Sequence, residues 1–502
     1  MASTDTDTES DAPDPYVDLL DHTKKLAHLN DANGVVYWDL QVMMPEGGMP
    51  ARSKQLSALS SVTHDLQTDP VVGEHLDALD AADLTDERAA VVRELRRSYE
   101  RAVDVPGHLV EELSETQANA QQTWQGAKAD SDFEAFAPTL ESLRDLHRDR
   151  AEHIDGTQSP YVTMYEDGAP YLPLETVEDI FDTLREELVP LIADIREHGD
   201  DLPDPFDGTY PDDDQMALCE ATLDTLGYDR SRGRLDTAPH PFMVGTQFDA
   251  RVTTRFDESD PLGAVMSTTH EYGHASYQLG LRQDAYGTPL GMSRSSGVHE
   301  SQSRFWENHV GRTRPFWESF APTVNEHLGT DLDAETMYQS VNRIYPDNLI
   351  RVEADELTYH FHIILRSEID RAFVEGDVDV EEIPDLWNEK MEEYLGVTPP
   401  NDATGCLQDI HWSSGFASFQ NYTVGSVLAA QLNAAIREDL DVDALVREGE
   451  FDPIREWMGE RVHEPGCRYE TPELVEHATG EPLTADYFVE YAKEKFGDLY
   501  GL

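Results

Sequence analysis

Apolar positions recur at steps of three and four over most of the chain. Leu19, Leu20, Leu26 and Leu29 do so near the start, and Val91, Val92, Leu95 and Tyr99 further on. A helix turns once in about 3.6 residues, so this spacing keeps one face apolar and predicts helices across residues 16–154. Pro106 and Pro138 mark breaks within that span, since a proline ends one helix or opens the next. Residues 158–173 are rich in aromatics and proline and read as a connector. Helical spacing resumes over 174–198, and again over 216–226 up to Gly227. Between these two, residues 200–214 are dense in Asp, Pro and Gly and read as an exposed loop.

One stretch has a different period. Phe248, Ala250, Val252, Thr254 and Phe256 alternate with Asp249, Arg251, Thr253 and Arg255. Period two predicts a strand with one polar face. Ser259-Asp260-Pro261 then supplies an acidic N-cap and a proline in the first turn of a helix that runs to Gly280. A glycine-rich loop over 285–297 leads to another helix. Residues 341–373 predict a long helix whose apolar stripe is Ile350, Ala354, Leu357, Phe361 and Ile364. Arg351, Asp355, Thr358 and His362 form a second stripe, of the kind that usually faces solvent. Helices over 387–395 and 417–440 follow. No internal repeat and no low-complexity linker interrupts the pattern. Residues 16–502 therefore read as one mostly helical body, behind an acidic tail (residues 1–15) expected to be disordered.

Charge changes the picture of the surface. Lys and Arg number 37 against 101 Asp and Glu, a formal net charge of -64. With 39% hydrophobic and 9% aromatic residues the chain still has material for a large core, so the surplus acid must lie outside. The acid is spread along the whole chain, which points to adaptation to molar salt, as in a protein of a halophile, rather than to one basic partner. At about 1 M ionic strength the Debye length is roughly 3 Å, and dense like charge becomes tolerable. Such a surface argues against nucleic acid and anionic lipid as partners. No run approaches the roughly 20 apolar residues that a membrane span needs. Cys219, Cys406 and Cys467 are widely spaced and suit a reducing compartment. The cytoplasm is the expected location.

Candidate chemistry centres on His270-Glu271-Tyr272-Gly273-His274. Residues four apart share a helix face, so His270 and His274 can point at one metal ion. Glu271 lies one step round and can act as base on a water held there. Glu300 is placed to add a third ligand after a helix, a loop and a returning helix. Spacing alone leaves it equally open to being one more of the many acids.

Further motifs accompany these residues: His240-Pro241-Phe242, Asp249-x-Arg251-x-Thr253, His299-Glu300-Ser301-Gln302, Ile350-Arg351-x-x-Ala354-Asp355 and Gly405-x-x-Gln408-Asp409-x-His411-Trp412. In this order they resemble the M32 family of metallocarboxypeptidases. Trp38-Asp39 with Met44-Pro45 near the start and Ala478 to Leu483 near the end also look like the family, so the resemblance spans nearly the whole chain. It implies an all-α, groove-bearing fold similar to neurolysin and angiotensin-converting enzyme, with a small β-sheet beside the active site. It implies a homodimer that removes single residues from peptide C-termini with broad specificity, using one Zn²⁺ or Co²⁺ per subunit. Two imidazoles and a carboxylate suit both ions.

Roles follow from that likeness. His270, His274 and Glu300 hold the metal and Glu271 is the general base. Arg351 receives the terminal carboxylate, a role compatible with an i,i+4 pair to Asp355. His411 is an oxyanion or substrate donor, with Gln408 nearby; its alternative is a packed structural histidine beside Trp412. Tyr422 is a possible phenol donor. Arg251 either touches substrate or braces its strand. Two other readings stand beside this one: an oligopeptidase of the same mechanism, and a metal-stabilised helical protein without turnover. Glu271 weighs against the second, because a purely structural site needs no base.

Overall fold

The computed structural model describes residues 14–345 and 347–502. Of the tail expected to be disordered, residues 1–15, the first thirteen lie outside the described residues; its last two are placed in structure, Pro15 opening the first helix and Asp14 capping it, the carboxylate accepting from the Tyr16 amide at 3.0 Å. Twenty α-helices and one three-stranded sheet make up the described chain. The fold is mostly helical with a small sheet, as the sequence predicts.

The sheet contains β1 (Leu235–Thr237), β2 (Met243–Thr246) and β3 (Asp249–Thr254), in the order β1-β3-β2. β3 is the strand read from the period-two stretch. It pairs parallel with β1 and antiparallel with β2, with Val252 opposite both Leu235 and Met243. The two outer strands are too short to show a period of their own. Ala250 and Val252 point into the core, and the His270 helix (Pro261–Gly280) packs against that face.

The His270 helix is capped as expected: Asp260 accepts from the Gly263 amide at 3.1 Å, and Pro261 fills the first turn. Val265, Met266, Thr269, Tyr272, Ala275 and Tyr277 are all buried. A helix buried nearly all round sits in the middle of a body, not on its surface. Beside it runs the Glu300 helix (Ser296–Arg304), and behind that the long helix Gln420–Asp439. Backbones approach closely here. A Cβ on Gly273 would lie 2.5 Å from the Gln302 carbonyl oxygen, and one on Gly425 would lie 2.4 Å from Cγ of Glu300. Glycine at these two points lets three helices stack at the site.

One large core runs from Ala120 to the C-terminal helix. A smaller one, with Tyr16, Leu19, Leu76 and Val91, joins the first helices to Ala285 and Leu290 in the loop after the His270 helix. Trp38 is buried and meets Phe242 edge-on at 5.5 Å, tying the end of the first helix to the sheet region.

Two expectations are corrected. Residues 158–173 are not a plain connector, because Ser159 caps a helix at Pro160–Gly168. Residues 341–373 are not one helix. A helix ends at Val341, a short 3₁₀ turn spans Arg351–Glu353, and the next helix is Tyr359–Glu375. The cause is Asp355. Its carboxylate accepts from the amides of Tyr345, Leu357 and Thr358 and from the Thr358 hydroxyl, at 2.7–2.9 Å. An Asp side chain that gathers backbone donors competes with helix and starts a new one. The stripe expected to face solvent is accordingly inside: Asp355, Thr358 and His362 are buried.

Candidate metal centre

The structure brings His270, His274 and Glu300 together. One donor atom from each lies within 4.8 Å of the others, and this is the one such group among the described residues. Nε2 of His274 is 3.5 Å from Oε2 of Glu300, and Nε2 of His270 is 3.9 Å from the same oxygen. Ligands about 2.1 Å from a tetrahedral ion stand roughly 3.4 Å apart, so the three donors fit one divalent ion. Three donors, not four, would leave a position open on a bound ion for water or substrate.

The far side of each ligand is engaged. Nδ1 of His270 lies 2.9 Å from Oε2 of Glu307, and Nδ1 of His274 lies 2.7 Å from Nδ1 of His299. Both rings therefore turn Nε2 toward the shared point. Arg304 donates to Oε1 of Glu300 at 2.8 Å, which leaves Oε2 facing the histidines. Burial raises the Glu300 carboxyl pKa, but Arg304 and the two imidazoles outweigh it and hold the group down at about 2. It is an anion, the form in which a carboxylate can bind a metal ion.

Glu271 is 6% exposed. Burial pushes its pKa up, against the pull of His270 and His274 and with the repulsion of Glu300 and Glu307. A carboxylate so placed is a better proton acceptor than a surface one.

A second group of side chains stands next to the metal ligands. Arg351 is largely buried, with its guanidinium 5.3 Å from the Phe419 ring and 5.8 Å from the Tyr422 ring. The Tyr359 phenol links the two groups: it interacts with Arg351, and Arg304 lies 4.7 Å over its ring. The i,i+4 pair of Arg351 with Asp355 does not form, because no helix holds it there. Arg351 faces Asp409 instead, at 3.6 Å. Asp409 also binds Nδ1 of His411 at 2.6 Å. His411 and Trp412 go separate ways: Trp412 is buried in the core, while the His411 side chain is 31% exposed and meets Phe419 edge-on at 5.2 Å. His240 lies between the groups; burial lowers its pKa, and Arg351, His411, Arg255 and His270 push the same way.

Gln408 and Arg251 are placed otherwise than as free substrate donors. The Gln408 amide accepts from the Arg351 amide at 2.8 Å and donates to the carbonyls of Leu349 and Thr404. It is used up on backbone, and its work is to hold the Arg351 turn. Arg251 spends its donors on Asp249 at 2.6–3.0 Å and lies 5.7 Å over Trp38, which braces β3. Tyr422 lies at the site, where burial raises its pKa to a level that keeps the phenol protonated. Glu307, Arg304 and Tyr359 carry no signal in the sequence, and Asp409 stands there only as part of a motif, without a role.

A pair of helix-borne imidazoles, an anionic third ligand and a buried glutamate beside an open position define a metallopeptidase type of site. Comparison with known proteins narrows the class. Residues 18–496 match the family model described as Carboxypeptidase Taq (M32) metallopeptidase. Carboxypeptidase 1 of Bacillus subtilis is 35% identical over 97% of this chain and 98% of its own length. Thermostable carboxypeptidase 1 of Thermus thermophilus is 36% identical over 97% of this chain and 99% of its own. The crystal structure of the M32 carboxypeptidase from Deinococcus radiodurans R1 superposes with a TM-score of 0.93 at 36% identity, covering 97% of this chain and all (100%) of that one. The chain belongs to the M32 family of metallocarboxypeptidases.

Proposed function

We propose that this chain removes single residues from peptide C-termini with broad specificity, and that His270, His274 and Glu300 hold one divalent ion, Zn²⁺ or Co²⁺. The observation that carries the reading is the convergence of three donor atoms beside buried Glu271, one phenol away from Arg351. When bound, the ion supplies Lewis-acid polarisation of the scissile carbonyl and lowers the pKa of the attacking water. Glu271 takes the proton of that water and returns it to the leaving amine. Arg351 grips the terminal carboxylate through paired N–H donors, strengthened by the aromatic walls that exclude water. His411, its Nδ1 committed to Asp409, offers Nε2 to the developing oxyanion, and the Tyr422 phenol is a second donor. A carboxylate anchor at a fixed distance from the attacked carbonyl makes cleavage count from the C-terminal end.

The same reading extends to the whole molecule. Residues 16–502 act as one catalytic body, working as a homodimer in the cytoplasm with a surface adapted to molar salt. Three free cysteines support a reducing compartment, and the balance of 37 basic to 101 acidic residues supports the salt adaptation.

The test is digestion of a peptide in high salt, followed by mass, with apo protein reloaded separately with Zn²⁺ and Co²⁺. The expected result is a ladder of single C-terminal losses, abolished by a chelator and by Glu271→Gln. Internal fragments would instead favour an oligopeptidase. A metal-replete protein inert at every salt concentration would leave the site purely structural.

A further inference from the structure

Behind the donor atoms, a set of charged side chains is interlocked oxygen by oxygen. Steps of four and three put Glu300, Arg304 and Glu307 along one helix face. Immediately after Arg304 the helix widens over Phe305–Gly311, closed by a bond from the Arg312 amide to the Glu307 carbonyl, five residues back, at 2.8 Å. In a regular α-helix a residue five positions on points well round the barrel. The wider turn brings Arg312 over the Glu307 carboxylate, where it donates to Oε1 at 3.0 Å. The other oxygen, Oε2, faces Nδ1 of His270 at 2.9 Å and accepts from Arg304 at 3.1 Å. Arg304 then reaches Oε1 of Glu300 at 2.8 Å.

A carboxylate flanked by two guanidiniums can only accept, so the His270 proton must sit on Nδ1 and the lone pair on Nε2. By the same logic Arg304 occupies one oxygen of Glu300 and leaves the other for the ion. The His274 ring has no such anchor; it meets the imidazole of His299. The two histidines of one motif are thus supported unequally.

We propose that Glu307 is a positioning residue for the metal centre: with Arg304 it fixes which nitrogen of His270 and which oxygen of Glu300 face the ion. This rests on the metal-site reading above. Outer partners of ligand histidines commonly change metal affinity by about 10- to 100-fold.

The experiment measures Zn²⁺ affinity by competition with a chromophoric chelator, and ligand geometry by the visible absorption of Co²⁺-loaded protein. Glu307→Gln is expected to weaken Zn²⁺ binding by about 10- to 100-fold and to alter the Co²⁺ spectrum. The control is Glu94→Gln, which removes a carboxylate that is paired with Arg294 at 2.7 Å and shares no partner with Glu307. It is expected to lower the melting temperature while leaving affinity and spectrum alone. A Glu307→Gln protein that binds as tightly as the parent, or loses no more affinity than the control, overturns the proposal. If Glu307→Gln does not melt cooperatively, Glu307→Asp, with the charge kept and the reach shortened, is read by the same criteria. His274→Ala separates the two readings. Retained stoichiometric binding in His274→Ala refutes the metal site itself. Binding lost there but unchanged in the Glu307 variants refutes only the role of Glu307.

Discussion

The proposed mechanism gives Glu271 and Arg351 separable tasks, and single substitutions should show it. Glu271→Gln keeps the size of the side chain and removes the base. Its turnover should fall about 10²- to 10⁴-fold while bound Zn²⁺ per chain stays at the parental level. Arg351→Ala removes a charge-assisted pair worth about 1.5–3 kcal/mol, so kcat/KM should drop roughly 10- to 100-fold. The same variant should lose its preference for a free over an amidated C-terminus; a preserved preference would place carboxylate recognition elsewhere. His270, Glu271 and His274 were legible in the sequence because a helix converts a four-residue step into a shared face. Glu307 was not. Among 101 acids a carboxylate with no fixed spacing from the motif looks like surface charge, and only burial tells it apart. Gln408 stands in a conspicuous motif, yet its amide bonds to the backbone of Arg351, Leu349 and Thr404, which spacing does not reveal.

Whole helices were legible where their apolar stripe was unbroken, as over Leu174–His198 and in the His270 helix. The reading failed at residues 341–373, where the stripe continues but one buried Asp355 gathers the amides that a helix would use. That failure matters for function, because the non-helical turn is what carries Arg351 toward Tyr422 and Phe419. Spacing also says nothing about how close two helices come. Gly273 and Gly425 decide that. An added methyl at Gly273 would press on backbone at 2.5 Å, so the His270 and Glu300 helices would have to part. At Gly425 it would press on Cβ and Cγ of the Glu300 side chain, at 2.5 and 2.4 Å. Both Ala variants should lose about 1–3 kcal/mol by overpacking, measured by denaturant unfolding of the apo protein. Gly425→Ala should in addition weaken Zn²⁺ binding relative to the parent, because the displaced side chain is a proposed ligand. A Gly425→Ala protein that binds Zn²⁺ as tightly as the parent would show that this contact does not set the position of Glu300.

At the scale of the molecule two electrostatic effects act in different pH ranges and can be told apart. The net charge of -64 repels itself. Raising salt from about 0.1 to 1 M shortens the Debye length from roughly 10 to 3 Å, so the melting temperature should climb steeply at first and then level off. A flat curve would exclude salt adaptation. The second effect comes from buried and half-buried histidines other than His270 and His274. Burial holds His360, His362 and His463 down at about 3 and His147 at about 4, against an ordinary 6.5. In the unfolded chain they bind protons from about pH 6.5 downward. The folded chain cannot follow until near pH 3–4. Between those limits the unfolded state carries more protons, so stability rises with pH and is lost on acidification. Surface carboxylates stay ionised down to about pH 5, so between pH 6.5 and 5 the surface acids do not contribute to the slope. In molar salt, where repulsion is screened, the melting temperature should therefore fall steadily over that interval. Below about pH 5 the acids begin to neutralise, which relieves repulsion only where it was unscreened. The low-salt curve should then flatten while the molar-salt curve keeps falling. A molar-salt melting temperature unchanged from pH 7 to 5 would mean that these histidines gain protons in the folded protein as easily as in the unfolded one.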